Sequence, residues 1–400
     1  MNEQRKRAMV FVALIGVVSL FADMTYEAAR SINGPFLAIL GAGSLLVGII
    51  AGAGELLGYL VRPLSGGRAD RTGRYWNLTL FGYVINLFAV PALALVGSWL
   101  AAAALMIAER IGKGVRNPPR DVMLSAAGSV VGQGWVFGFH EAMDQIGATL
   151  GPLIVAFVLF LHGGYHHAYA LLAIPAVIAV GVVVLGRVIY PHPERLERTR
   201  ASHGADAPEA DSKPRWRFPS AYWLYLAGVS LVAAGFADFP LIAFHFHQAS
   251  VVSADLVPVL YALAMAVDAL AALVLGAFLE KVGSMVMVIG VAMALFFAPL
   301  VFGLVPGGVA AAFAGMALWG IGMGAHESVM SAIVAKLIPF RARGRAYGLF
   351  NAVYGSAWFA GSALLGYLYG VSIPALVAFS ITAQALAVPL LTVVARRVKR

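Results

Sequence analysis

The sequence has no cysteine, and Asp, Glu, Lys and Arg together make up only 12% of its 400 residues. The absence of cysteine excludes disulfide bonds, thiolate metal ligands and a cysteine nucleophile. The shortage of charge excludes an ordinary soluble domain, in which about a quarter of the residues are charged. Instead, 61% of the residues are hydrophobic, and the mean hydropathy is +0.85. So much apolar surface would aggregate in water, so the composition indicates a chain embedded in a lipid bilayer.

Motifs of nucleotide binding and of hydrolysis are also absent from the sequence. There is no GxxxxGK[ST] phosphate-binding loop, no GxSxG nucleophile motif and no HExxH zinc motif. We therefore expect no enzyme activity, no ATP drive, no cofactor and no metal site. Five histidines fall near predicted helix ends, where we interpret them as interfacial side chains instead of metal ligands: His162, His166, His167, His245 and His247.

The net charge is +9, but the basic residues form no single patch that could bind nucleic acid, which we do not expect as a partner. They gather in short clusters at 5–7, 62–74, 110–120, 187–217, 281, 336–345 and 396–400. Lys and Arg are absent from 31–61, 75–109, 121–186, 218–280, 282–335 and 346–395. A crossing needs about 20 residues, so these stretches predict six hairpins, or twelve transmembrane helices. Because Lys and Arg mark cytoplasmic loops, we expect a multi-pass protein of the cell inner membrane with both termini cytoplasmic.

The longest polar stretch divides the chain into two halves. Residues 191–219 are rich in charge, Pro and Ala. We interpret them as a cytoplasmic linker between six-helix halves at 1–190 and 220–400. At an offset of 210 residues, Asp70-Arg71 aligns with Glu280-Lys281, and several glycines align as well. A parallel repeat of this kind places a binding site at the interface between its two copies.

Three motifs resemble the major facilitator superfamily, and the resemblance covers nearly the whole chain. The first follows the second predicted helix and contains Gly66, Asp70, Arg71, Gly73 and Arg74. It departs from the family at Tyr75, where a further basic residue is usual. The second is Arg110-x-x-x-Gly114 in the fourth predicted helix. The third, in the fifth predicted helix, consists of Gly138, Gly147, Gly151 and Pro152, with Val155-Ala156 in place of a closing glycine pair.

Further residues resemble one prokaryotic branch of this family, whose members are regarded as efflux permeases. They are Ser19-x-x-x-Asp23 with Tyr26-Glu27, the run 110–121, and the run 137–148. The resemblance implies an all-α membrane protein of twelve helices in two pseudo-symmetric six-helix halves. It also implies a secondary active transporter that moves a small organic solute by alternating access, in proton-coupled efflux. Protons would be the coupling ion, the lipid bilayer the surroundings, and a monomer the expected state.

The first motif predicts a gate. An acid at a helix end can pair with a nearby basic group, or with a helix N-terminus across the bundle, and such a bond can break when the halves rock. Gly73 permits a tight turn. We assign Gly66, Asp70, Arg71, Gly73 and Arg74 to this gating loop, with Glu280 and Lys281 as its second copy. The plain alternative is a set of cytoplasmic arginines that only fixes the topology.

Ionisable residues inside membrane helices are costly and therefore candidates for function. We predict that eight of them take part in proton coupling or substrate binding: Asp23, Glu27, Arg30, Arg110, Glu141, Asp144, His326 and Glu327. Proton coupling needs a carboxylate whose proton affinity responds to an approaching cation, as Asp144 would if it lay near Arg110. The alternative is a set of fixed buried ion pairs. Glu55 and Asp268 are weaker candidates. In the fifth helix, the predicted role of Gly138, Gly147 and Gly151 is close packing, with a bend at Pro152.

Two other functions stay open. An uptake symporter or uniporter of the same fold would share these residues, and the incomplete motif in the fifth helix favours it. A non-transporting membrane receptor or assembly factor would tolerate loss of Asp144 or Arg110. Acids and bases in the helices are near balance, so the sequence does not indicate the charge of the solute.

Overall fold

The computed structural model describes residues 3–193, 218–281, 283–326, 333–334, 337–338 and 343–398. Within these ranges the chain forms α-helices joined by short turns. Those before the linker are α1 (Glu3–Ile39), α2 (Ser44–Thr72), α3 (Tyr75–Ala92), α4 (Trp99–Val131), α5 (Gln133–Phe160), α6 (Tyr165–Leu171) and α7 (Ala173–Ile189). Those after it are α8 (Ser220–Gly235), α9 (Phe239–Gln248), α10 (Leu256–Lys281), α11 (Met285–Ala294), α12 (Phe297–Val301), α13 (Gly308–Gly324), α14 (Arg343–Val371) and α15 (Ile373–Val398).

Three pairs of helices are single membrane crossings with a break: α6 with α7, α8 with α9, and α11 with α12. Eight crossings are long and apolar enough to span a membrane, and two shorter apolar ones lie at Met285–Val301 and Gly308–Gly324. With α4 and α14, the described chain therefore has twelve crossings. The prediction of an all-α membrane protein with twelve transmembrane helices is confirmed.

Local chemistry explains where the crossings end or break. Gly73 ends α2 in the left-handed region at φ 64°, and its N–H bonds to Ala69 O, a conformation that a Cβ would strain. Gly132, at φ 122°, separates α4 from α5. Asp238 caps α9 by accepting a hydrogen bond from the backbone N–H of Phe239 at 3.0 Å. The break between α8 and α9 thus turns a buried carboxylate toward the centre of the molecule.

Successive crossings reverse direction, so the turns lie at two opposite ends of the bundle. We call the end that carries Arg74, Arg187 and Arg397 the basic end. The opposite end carries the turns at 40–43 and 161–164, and we call it the far end. Both the chain start at α1 and the end of α15 lie at the basic end.

Two buried apolar clusters fill the bundle. One is built from residues of α1–α7 with Phe244, and the other from residues of α8–α15 with Ala148. The largest contacts between the two groups of helices join α2 to α14, α5 to α10 and α1 to α9. The domain limits at 190, 191–219 and 220 stay a prediction, because residues 194–217 lie outside the described chain.

Candidate functional site

The far end is closed where backbones pack directly on each other. An added methyl group at Gly48 of α2 would collide with the carbonyl oxygen of Ser362 in α14. One at Gly366 would lie 2.6 Å from the carbonyl oxygen of Ser44. Gly34 of α1 meets the backbone of Pro240 in α9 in the same way. Small residues let membrane helices approach this closely, and together these contacts form what we call the far-end seal.

A cavity of about 290 Å³ lies on the basic-end side of this seal. In α2 it begins at Glu55, after the seal residues 44–52, and in α14 it spans 350–358, before the seal residues 359–366. Its wall is formed by Glu27, Arg30, Glu55, Gly58, Tyr59, Arg62, Arg110, Lys113, Gly114, Met323, His326, Phe350, Asn351, Tyr354 and Trp358. The cavity therefore lies between the helices before the linker and those after it.

The two sides of the cavity differ in chemistry. Helices α1, α2 and α4 supply every acidic and basic wall residue apart from His326, whereas α14 supplies three aromatic side chains. In α2, the spacing of Glu55, Tyr59 and Arg62 by four and three residues places them on one helix face. The sequence could predict this shared face, but not that an aromatic wall stands opposite.

Arg30 is the centre of a buried ion-pair network. Its guanidinium lies 2.8 Å from Asp238 Oδ1, 3.5 Å from Glu55 Oε1 and 4.0 Å from Glu27 Oε1. Asp238 Oδ2 in turn accepts a hydrogen bond from Trp358 Nε1 at 3.2 Å. The network therefore joins the α1–α7 helices to the α8–α15 helices. Nothing local in the sequence indicates that Asp238 is the partner of Arg30, because the two residues lie 208 positions apart.

Arg110 belongs to the same network. It lies 3.2 Å from Glu55 Oε1 and 3.1 Å from Glu109 Oε2. Lys113, one turn further along α4, lies 3.8 Å from Glu27 Oε1, and its ammonium stands 4.1 Å from the centre of the Tyr26 ring.

Glu27 also accepts a hydrogen bond from Tyr261 of α10. Glu27, Arg30 and Arg110, predicted separately from the sequence, therefore meet at one cavity.

A second polar cluster lies beside the first and is formed by α1, α4 and α5. His140 Nδ1 lies 3.2 Å from Asp144 Oδ2, and His140 Nε2 lies 2.7 Å from Ser19 Oγ. Asp23 lies 4.0 Å from Arg116. The space between these groups is about 140 Å³ and is also bounded by Glu141, Arg120, Met265 and Asp268.

The sequence made Asp144 a coupling candidate on the condition that it lay near Arg110, and the structure does not meet that condition. Asp144 pairs with His140, while Arg110 pairs with Glu55 and Glu109. In the register of α4, the basic residues that border the second cluster are Lys113, Arg116 and Arg120, not Arg110. A local sequence signal for the histidine exists, because His140 and Asp144 are four residues apart on α5.

The two clusters are linked by one amide. Asn86 of α3 donates to Glu109 Oε1 at 2.7 Å, and its Oδ1 accepts from Arg116 Nε at 3.2 Å. Arg116 also stands 4.4 Å from the centre of the Tyr83 ring. A continuous chain of polar contacts thus runs from Asp23 through Arg116 and Asn86 to Glu109 and the cavity.

The gating-loop residues lie at the basic end. Asp70 accepts a hydrogen bond of 3.4 Å from the Tyr75 hydroxyl, and Arg71 and Arg74 are exposed. A methyl group at Gly66 would lie 3.4 Å from Pro118 Cβ, which places the end of α2 against α4. The side chains of Glu280 and Lys281 lie outside the described part of the structure. The gating role therefore stays a prediction.

The glycines of α5 differ from one another. Methyl groups at Gly147 and Gly151 would collide with the carbonyl oxygens of Leu20 and Met24 in α1. A methyl group at Gly138 would meet no described atom within 4 Å, so the expected close approach is not seen there. Pro152 lies inside α5 and is buried.

His326 lies just after α13 and is buried on the cavity wall. Its Nδ1 is 3.4 Å from the Tyr354 hydroxyl, and its ring lies 4.6 Å from that of Phe236. Its predicted partner in function, Glu327, falls outside the described residues.

Comparison with known proteins adds the following. Residues 12–362 match the family model described as Major Facilitator Superfamily. An uncharacterised protein of Mycobacterium tuberculosis (strain ATCC 25618 / H37Rv) is 39% identical over 379 residues, covering 94% of this chain and 91% of that protein. An uncharacterised MFS-type transporter of Methanocaldococcus jannaschii is 30% identical over 175 residues, 43% of this chain and 44% of the relative.

Solved structures with the same fold share little sequence with this chain. A peptide transporter POT superposes with a TM-score of 0.74 at 15% identity, covering 97% of this chain and 94% of that one. The nucleoside transporter NupG gives 0.69 at 15% identity, covering 97% and 98%. A bacterial homologue of the human lysosomal transporter Spinster, in an inward-facing and unoccupied conformation, gives 0.67 at 14% identity, covering 99% and 96%.

Proposed function

The chain belongs to the major facilitator superfamily, and on this basis we propose that it exports a small organic solute in exchange for protons. Membership makes it a multi-pass membrane transporter. The observation that carries the proposal is the charged cavity between the two groups of helices, sealed at the far end and bordered by the His140–Asp144 cluster. A solute site next to a separate proton-binding pair is an arrangement that can support exchange.

The direction of exposure follows from the positions of the basic residues. If the basic end faces the cytoplasm, as Lys and Arg indicate, the cavity lies on the cytoplasmic side of the seal. Both termini then lie in the cytoplasm at the inner membrane. The chain would thus be in an inward-facing state, as is the bacterial Spinster homologue whose fold it shares. A solute would be captured from the cytoplasm as a monomer with halves at 1–190 and 220–400 rocks around it.

The Arg30–Asp238 pair is suited to act as a latch on the far-end side. It joins α1 to the start of α9 at 2.8 Å and lines a small space that also contains Pro240, a residue of the seal. Opening of the far end would separate these two charges. The separated charges would then have to be stabilised by water or by the bound solute. Solute binding would thereby shift the equilibrium between the inward-facing and outward-facing states.

Proton binding is proposed at His140 and Asp144. An imidazole and a carboxylate 3.2 Å apart can share a proton and pass it to water. A change of charge there acts on Arg116 and Asp23, and the Asn86 link carries it toward Glu109 and Arg110. Proton binding and solute binding are thereby coupled without sharing an atom.

The test is export from a host that lacks its own efflux pumps. Cells would express wild type or Asp144→Asn and be exposed to a panel of toxic organic anions, cations and neutral compounds. We expect wild type to protect against at least one compound and to lower its internal concentration, and the variant to do neither. Equal protection by wild type and Asp144→Asn would contradict proton coupling at Asp144. If wild type and the variant protect against no compound, the proposal of export is contradicted.

Uptake by symport or uniport is the second candidate. It is favoured by one feature of α5, where the buried residues Val155 and Ala156 stand in place of the glycine pair that closes the family's antiporter motif. The direction of net movement of a labelled solute separates the two candidates. Export from cells driven by an inward proton gradient supports the first, whereas net uptake into cells would favour the second.

A further inference from the structure

The cavity wall has more positive than negative groups. Among the residues that the structure describes, it exposes the basic side chains of Arg30, Arg62, Arg110 and Lys113, but only two carboxylates, Glu27 and Glu55. The other two acids of the network, Glu109 and Asp238, line a smaller space on the opposite side of Arg30 and Arg110. They therefore pair with the two guanidiniums on the side that faces away from the cavity, and the described cavity surface keeps a net positive charge.

Arg62 is the basic wall residue that makes no ion pair with a described carboxylate. Its guanidinium stands 4.6 Å from the centre of the Tyr59 ring, and its buried Nε has no hydrogen-bond partner among the described atoms. A guanidinium offers a planar fork of N–H donors that fits a carboxylate or a phosphate. Arg62 is thus positioned for an anion that is not part of the protein.

The opposite wall is aromatic. The rings of Phe350 and Tyr354 are stacked 5.6 Å apart at 15°, and Trp358 follows 5.8 Å from Tyr354. Tyr59 meets Tyr354 edge-on at 6.2 Å, so the aromatic wall reaches the side on which Arg62 lies. A flat apolar group would fit against these rings while an anionic group on the same molecule reaches Arg62.

We infer that the solute is an organic anion with an aromatic or other flat apolar part, bound by Arg62 at its charge and by Tyr354 and Phe350 at its ring. This inference rests on the proposed transport function and names the class of its substrate. The cavity of about 290 Å³ is at the small end of the range of about 300–1,000 Å³ for small-molecule sites, so the solute is about the size of a two-ring compound.

Binding to the purified full-length protein in detergent tests the inference apart from transport. The probes are matched pairs: 2-naphthoate against 2-naphthylmethylamine and 2-naphthalenemethanol, and phenyl phosphate against benzylamine and benzyl alcohol. We expect the anions to raise the thermal unfolding temperature and the amines and alcohols not to. The inference is overturned if the amines or alcohols match the anions across both sets, or if neither anion binds.

Variants locate the site. Arg62→Gln should weaken anion binding about tenfold or more, as loss of a charge-assisted contact does, and Arg62→Lys should restore part of it. Tyr354→Leu should weaken 2-naphthoate, whereas Tyr354→Phe should not. The matched control is Arg187→Gln, an exposed residue at the basic end, which should bind as wild type does. Equal loss in Arg62→Gln and in the control would contradict a site at Arg62.

The two proposals fail separately. If the protein binds the anions but reconstituted protein moves none of them, the substrate class stands and the transport function fails. If it moves amines in response to a proton gradient and binds no anion, the transport function stands and the substrate class fails. Expression and unfolding temperature of each unliganded variant show whether a loss of binding reflects misfolding.

Discussion

The two polar clusters of this protein share the helices α1 and α4 and yet are organised differently. The cluster around Arg30 includes Asp238, Tyr261 and Trp358, so it is bonded across the two groups of helices. The bonds at His140 join α1 to α5 and remain within the first group. A rocking motion would break the first set of bonds and preserve the second. Solute release and proton binding can therefore be assigned to separate sets of bonds, with Asn86, Glu27 and Lys113 between them.

The largest effect is expected when one partner of the Arg30–Asp238 pair, which joins the two groups of helices, is removed. Arg30→Ala leaves Asp238 buried without its closest cation, which costs about 3–5 kcal/mol of stability for a buried pair. We expect a large fall in the unfolding temperature and no transport. The double variant Arg30→Met with Asp238→Leu removes both charges and should recover stability without recovering transport. If the double variant transports, the pair is only structural.

The next effect should appear only in proton-driven flux. Asp144→Asn removes the carboxylate from His140 but leaves the cross-group bonds intact. The accumulation ratio driven by a proton gradient should fall about 10- to 100-fold, the usual range for coupling between two sites. Counterflow, which needs no gradient, should be nearly unchanged in reconstituted vesicles. A parallel loss of counterflow would mean that the two clusters are a single site.

The far-end seal allows a third comparison, between two glycines. Gly48→Ala would press a methyl group against the Ser362 carbonyl, and we expect it to cost about 1–3 kcal/mol in the sealed state. Gly138→Ala, which meets no described atom within 4 Å, is the matched control.

Because the chain has no native cysteine, Met323→Cys on the cavity wall can serve as a reporter in both backgrounds. An impermeant maleimide added at the far end should label the Gly48→Ala background faster, and the Gly138→Ala background as slowly as the parent. Equal labelling in the two backgrounds would argue against a seal at Gly48.

The sequence predicted the crossings well because the bilayer imposes a simple rule on it. Long runs without Lys or Arg must be apolar helices, and their number follows from the distribution of charge. The same rule does not indicate which helix faces pack against each other. The chain has 44 glycines, and neither composition nor spacing separates Gly147, which packs on α1, from Gly138, which does not.

Partners of the buried ions were harder to predict for the same reason. Arg30 and Asp238 are 208 residues apart, and Ser19 and His140 are 121 apart. Both pairs depend on the packing of helices. Local signals existed for His140–Asp144, four residues apart on α5, and for Glu27–Arg30, three apart on α1. Whether Asp144 lies near Arg110 could not be decided from the sequence, because a choice between Arg110, Arg116 and Arg120 requires the rotation of α4 against α5.

The smallest effect is expected at Glu141, which the sequence placed in the same role as Asp144. Its side chain is exposed and accepts a hydrogen bond of 3.2 Å from Gln145, one turn along α5. An exposed group of this kind contributes little, so Glu141→Gln should change proton-driven flux by about twofold or less. The measurement is proton-driven flux of Glu141→Gln and of Asp144→Asn, each reconstituted in vesicles of the same composition. If Glu141→Gln is as defective as Asp144→Asn, both carboxylates take part in proton binding. The proton-binding cluster then extends beyond the His140–Asp144 pair, with Arg116 as its limit toward the cavity.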